Sequence, residues 1–260
     1  MVPQAPQWRP FGNPAPLGNS GFAVSTFVVA LHTGAIGIAS GTPPNIVTGL
    51  ALFYGGIAQI IAGCWSFATN NSFGAVVFTS FGCYWMAYAA TLIPAFGISE
   101  VLSALDPVTR AHSLGTFYLV WVLQTFIFLL GSSRSNWGTF LTLLLLLITN
   151  ILTCAGNWTQ SEQALHVSGY FGLLTSIVAW YTVAADMLTK DTFYCQLPNP
   201  GMGLHMMPDS IATAINTPFD PVLCSPQITG KTNVHTPGCH IDLVHPMTGH
   251  TSSVTRSGDR

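Results

Sequence analysis

The sequence predicts an all-α membrane protein, a bundle of six transmembrane helices, on three observations. Only 6% of the 260 residues are charged, with 9 Asp+Glu and 7 Lys+Arg, where a soluble domain carries roughly 25%. No Asp, Glu, Lys or Arg occurs between Arg9 and Glu100, an interval dense in Phe, Ile, Leu, Val and Ala, as expected where an ion would have to be stripped of water and placed in hydrocarbon. Six stretches of the length a helix needs to cross the bilayer core are separated by short polar, Gly-rich or Pro-rich links.

In chain order, residues 1–18 read as a polar N-terminal segment ending in Asn13-Pro14-Ala15-Pro16-Leu17-Gly18. Two prolines there preset the backbone for a helix start, whose free N–H groups and positive dipole end attract anions; a rigid start without a ligand is the plain alternative. The spans are expected at 19–40, 45–66, 73–97, 113–132, 137–156 and 164–188, which together make a transmembrane domain over 19–188. Their breaks are Gly41-Thr42-Pro43-Pro44, Ala68 to Ser72, Ser99 to His112 with Asp106-Pro107, Ser133 to Asn136, and Asn157 to Gln163. Glycines are dense in the spans, and Gly37 with Gly41 has the GxxxG spacing that lets helices approach closely. Residues 189–260 turn to Pro, Gly, Ser, Thr and Asp, a composition too polar to bury a core, and form a disordered tail. An even number of spans puts both termini on one side. With them in the cytosol, Arg9, Arg134 and Lys190 lie inside and Arg110 alone lies outside, the sense the positive-inside rule favours.

The same residues exclude several functions. A net charge of -2 with scattered basic groups leaves no stripe for nucleic acid. Cys64, Cys83, Cys154, Cys195, Cys224 and Cys239 form neither a disulfide framework nor a zinc ribbon, and the first three read as buried inert thiols. His235, His240, His245 and His250 in the tail lack the paired spacing of a metal site. No HExxH, GxSxG or Walker element is present, so no enzyme, cofactor or metal is expected. Trp65, Trp85, Trp121, Trp137, Trp158 and Trp180 read as interface anchors near helix ends.

Several ordered motifs narrow this further. Asn13 to Gly18 before the first span is followed by Phe53-Tyr54-Gly55-Gly56-Ile57-Ala58-Gln59 with Ala62-Gly63, then Asn71-Ser72-Phe73-Gly74, then Ser80-Phe81-Gly82 with Trp85. Arg134, Asn136, Ala155-Gly156, Ala179-Trp180-Tyr181 and Leu197-Pro198 complete the pattern. Over about residues 11–198 the chain thus resembles the acetate uptake transporter family of bacteria and fungi.

The resemblance implies a pore through each protomer, a homo-hexameric ring in the plasma membrane, and movement of acetate, other small monocarboxylates or succinate together with protons. It also implies an apolar waist, which falls by position on Phe22, Phe81 and Leu146. Family members often carry Tyr at the position of Phe81, so this chain lacks that hydroxyl. Ser66 stands where many relatives have Glu, which removes one carboxylate. Polar candidates for holding the substrate beside the waist are Asn13, Tyr54, Gln59, Asn71, Ser80 and Asn150. For Gln59 and Asn150, a hydrogen bond that merely ties helices together is an equal reading.

Among the ionisable residues His32, His112, His166 and Asp186, His32 is the candidate proton relay, with a structural hydrogen bond as its alternative. Two rival functions keep the same bundle: export of ammonia or ammonium, and sensing of acetate through the tail.

Overall fold

The computed structural model describes residues 11–190 and 192–202. Six long helices carry the chain: α1 Ala15–Thr33, α2 Val47–Ala68, α3 Ser72–Leu92, α4 Pro107–Gly131, α5 Trp137–Trp158 and α6 Glu162–Met187. A short linking helix, Ile98–Ala104, lies between α3 and α4. Five of the long helices are long and apolar enough to cross a membrane. The 19 residues of α1 include Asn19, Ser20, Ser25, Thr26 and His32, which lower its apolarity. It is the most enclosed by protein, packing on α6 and α2, while α6 packs on α5, α5 on α4, and α2 on α3. Exposed apolar side chains such as Val120, Leu123 and Ile127 cover the outer faces, the solvent-facing pattern of a protein whose solvent is lipid.

Local chemistry explains where four of the six long helices start. The Asn71 side chain accepts from the Gly74 N–H at 2.8 Å, Asp106 from Thr109 at 2.9 Å, Asn136 from Thr139 at 2.8 Å and Ser161 from Ala164 at 3.3 Å, the N-cap bond in each case. These caps move two boundaries away from the sequence expectation. Asp106-Pro107, read as a break, is a cap followed by a first-turn proline, so α4 begins at 107 rather than 113. Likewise α1 begins at Ala15 with its proline pair in the first turn, not at 19.

At its other end α1 stops at Thr33 rather than 40. Gly37 and Gly41 stand at φ +70° and +80° in the turn, with no atom near where a Cβ would sit. They therefore supply left-handed backbone and not a GxxxG contact. Close approach is instead made at Gly21, where a Cβ would strike the Tyr54 carbonyl oxygen of α2. Here α2 widens into a π-helix over Leu50–Ala58.

Other expectations are refined by the packing. Cys154 is buried, but Cys64 and Cys83 lie on exposed faces. Trp65, Trp137, Trp158 and Trp180 are exposed, whereas Trp85 is deeply buried. The start of the expected tail is tied back onto the bundle. The Tyr181 hydroxyl donates to the Pro198 carbonyl at 2.6 Å, the Gly138 N–H to Asn199 Oδ1 at 3.1 Å and the Met202 N–H to the Ser135 carbonyl at 2.7 Å. The tail histidines and Cys224 and Cys239 lie outside the described residues.

Candidate functional site

The centre of the bundle is built by one apolar side chain from each of three helices. Phe22 of α1, Phe81 of α3 and Leu146 of α5 are 5%, 4% and 7% exposed and belong to one apolar cluster. The rings of Phe22 and Phe81 lie 5.7 Å apart. Behind Phe81 stand two rings of α4, Trp121 at 6.0 Å, stacked, and Phe128 at 5.6 Å, edge-on. Such offset and edge-on pairs are the favoured aromatic geometries. Because α4 packs its backbone on α5, it reaches α3 largely through these rings and through Phe117 and Trp121 against Tyr84.

Two cavities meet at this cluster, and Phe22, Phe81 and Leu146 line both. The first, on the side of the α1–α2 and α3–α4 links, has a volume of about 70 Å³, room for a few waters or one small organic acid. Its walls combine Tyr84, Trp85, Tyr118 and Trp121 with Thr26, Thr149, Thr153, Ser168 and Asn150. Thr149, Thr153 and Ser168 donate their hydroxyl protons to carbonyls of their own helices, at 2.9, 2.8 and 2.7 Å. Their remaining lone pairs are acceptors, which suit a partner that carries a proton. Asn150 donates to the Thr125 hydroxyl at 3.1 Å, so it both ties α5 to α4 and faces the cavity. Thr26 Oγ1 and Trp85 Nε1 are buried without a protein partner, and a buried polar group of that kind calls for one.

The second cavity, about 140 Å³, is lined differently. Three helix N-termini open on it, represented by Ala15 of α1, Asn71 and Gly74 of α3, and Asn136 and Thr139 of α5. Each terminus brings a positive dipole end, while the N–H groups of Ala15, Gly74 and the first turn of α5 are already bonded to neighbouring oxygens. Asn71 and Asn136 spend their side-chain oxygens on capping, which leaves their NH2 groups as donors. Gln59, 1% exposed, adds an amide whose Oε1 has no protein partner. One carboxyl, Asp186 near the end of α6, also lines this cavity.

Of the residues singled out from sequence, Phe22, Phe81 and Leu146 are brought together, Gln59 and Asn71 line the second cavity and Asn150 lines the first. Asn13, Tyr54, Ser80 and His32 line neither cavity. Asn13 accepts from the Ala15 N–H at 3.0 Å beside the start of α1. Tyr54 presents its carbonyl to Gly21. Ser80 lines an open groove with Cys83 and Gln124, since the residue next to Phe81 on a helix is turned about 100° away from it. His32 bonds through Nδ1 to the Val28 carbonyl of its own helix at 2.9 Å.

Sequence reading passed over Asn19, Thr26, Trp85, Asn136 and Thr142. Four of the five share a signal: Asn19, Thr26, Trp85 and Thr142 lie three or four positions from a waist residue on the same helix, which places them on its face.

Comparison with known proteins agrees with this architecture. The model of the GPR1/FUN34/yaaH family matches residues 2–203. Ammonia transport outward protein 2 of Saccharomyces cerevisiae is 37% identical over 185 residues, 71% of this chain and 64% of that protein. Acetate permease A of Emericella nidulans is 37% identical over 201 residues, 73% of this chain and 66% of its own length. The matched stretch thus spans just under two thirds of each fungal relative. The solved structure of the bacterial acetate channel SatP superposes with a TM-score of 0.64 at 28% identity, covering 73% of this chain and 99% of that one.

Proposed function

Because the chain belongs to the GPR1/FUN34/yaaH family, we propose that it carries acetate, and other small monocarboxylates or succinate, across the membrane through a passage gated at Phe22, Phe81 and Leu146. The observation that carries this reading is the pair of partly polar cavities meeting at that apolar cluster. On one side, three helix N-termini and the capping amides suit a carboxylate. On the other, hydroxyl acceptors and the Trp85 N–H suit an undissociated acid, which both donates and accepts.

Between them an anion would lose its hydration, at a penalty of several kcal/mol. The cargo therefore crosses as the neutral acid, and proton coupling follows from the waist itself. The likeness to a solved acetate channel and to an acetate permease supports the same cargo. In this reading the protein sits in the plasma membrane as a homo-hexamer, with both termini in the cytosol.

Purified protein in liposomes is expected to take up labelled acetate faster when the external medium is acidified. Uptake no greater than that of empty vesicles, with the protein folded, refutes the proposal. The likeness to an ammonia transport protein favours a second reading, in which the same uncharged waist passes ammonia. Competition between acetate and ammonium in one vesicle preparation separates the two.

A further inference from the structure

We propose that Asp186 is the proton-exchanging group of the second cavity, sharing one proton with the carboxylate held there. The proposal rests on the carboxylate-transport reading and assigns its proton step to one side chain. Asp186 is half-buried one residue before the end of α6, and among the described residues no other titratable side chain lines the cavity. Around it open the α1, α3 and α5 N-termini and the capping amides of Asn71 and Asn136. That field draws an incoming anion, yet an ionised Asp186 in the same cavity repels it. Both conditions are met when the two carboxyl groups share one proton.

The step balances simply. In uptake the neutral acid crosses between Phe22, Phe81 and Leu146 from the first cavity, its O–H bond breaks as an Oδ–H bond forms on the Asp186 carboxylate, and Asp186 then releases that proton to vestibule water. Export runs the same step in reverse.

Among the described residues the surroundings leave no competing donor. The faces that α1 and α5 turn to this cavity supply Asn19, Asn136, Thr139 and Thr142, none of which titrates. Arg134 and Lys190 are exposed and do not line the cavity. His32 of α1, Cys154 of α5, and Glu162, His166, Tyr170 and Tyr181 of α6 line neither cavity.

Acetate binding to purified full-length protein, followed by calorimetry across a pH series, tests the assignment. Above the range in which Asp186 is protonated, native protein is expected to lose affinity by up to about tenfold per pH unit, because each binding event takes up one proton. Asp186→Asn, which keeps the shape but cannot titrate, is expected to bind with an affinity that no longer follows pH. Asp186→Glu restores the dependence.

The same pH dependence in native and Asp186→Asn protein overturns the proposal, since the acid would then be binding already protonated. Should the variant not fold, the infrared difference spectrum of native protein on binding carbon-13-labelled acetate decides. A change in an unlabelled protein carboxyl band supports the assignment, and a change confined to the labelled acetate overturns it. Native protein that neither binds nor moves acetate fails the transport reading, an outcome distinct from either of these.

Discussion

Replacing Phe81 with Ala tests the waist most directly. The Phe81 ring is 4% exposed and sits against Phe22, Trp121 and Phe128 at 5.7, 6.0 and 5.6 Å. Each such pair contributes about 0.5–1.5 kcal/mol beyond area burial, in keeping with the ~3–5 kcal/mol that truncating a core Phe to Ala costs. The variant is therefore expected to be less stable, and Phe81→Leu to fall between it and the native protein.

The same truncation opens the partition between cavities of about 70 and 140 Å³, so that water can bridge them. If that water removes about 1.4–2.8 kcal/mol of the desolvation barrier, anion flux rises by about 10- to 100-fold. The assay is labelled acetate flux in liposomes that are mildly alkaline on both sides, where undissociated acid is scarce and native flux is low. Flux from folded Phe81→Ala protein equal to native flux would refute the assignment of Phe81 to the barrier.

Four further outcomes follow from individual contacts. Phe81→Tyr places a hydroxyl at the waist, and a hydrogen bond to the neutral acid of about 0.5–1.5 kcal/mol shifts the acetate-to-succinate uptake ratio about 2- to 13-fold; an unchanged ratio removes the hydroxyl from selectivity. Thr125→Val breaks the 3.1 Å bond from Asn150 and is expected to cost about 0.6–1.7 kcal/mol, with a double-mutant cycle through Asn150→Leu in detergent unfolding showing coupling of that size. Tyr181→Phe removes the 2.6 Å bond to Pro198, so proteolysis within residues 192–202 should quicken in proportion to about 0.5–1.5 kcal/mol of lost docking. The carboxyl of exposed Asp106 is held below the usual range by the Thr109 N–H bond. A lowered folded-state value means that its cap contribution is complete above the ordinary carboxylate value of about 4 and fades as pH falls through the lowered one. Thr109 amide protection, corrected for intrinsic exchange, should follow that acid transition in native protein and lose it in Asp106→Asn.

The membrane class was legible because hydrocarbon tolerates so few charges that their absence is itself a pattern. Helix ends were less legible. Asp106-Pro107 is as good a cap and first turn as it is a break, and Gly37 and Gly41 carry a packing motif's spacing while serving a turn. At the site, Phe22, Phe81 and Leu146 were found through resemblance, because an apolar side chain at a waist looks like any core residue. Polar partners chosen by neighbourhood in sequence, such as Ser80 beside Phe81, fell on the wrong face. Those three or four residues away, such as Thr26, Trp85 and Asn19, share the face. Trp85 was assigned to the membrane interface because span boundaries alone do not tell a helix middle from its end.

The scarcity of charge that betrays the membrane also constrains how the passage can work. Among the described residues no Lys or Arg lines either cavity, so an anion is met by helix ends and amides, whose partial charges attract without the full charge that would trap it. A fixed cation near the waist would hold acetate in place; dipoles let it leave. The lone cavity carboxyl, Asp186, fits the same economy. It adds no net attraction when ionised, and when protonated it supplies the one thing the apolar waist demands of its cargo, a proton. On that argument the asymmetry between the cavities is functional. Helix N-termini and amides gather where the anion is held, hydroxyls and an indole N–H where the acid is held, and the three apolar side chains between them let through only the neutral species.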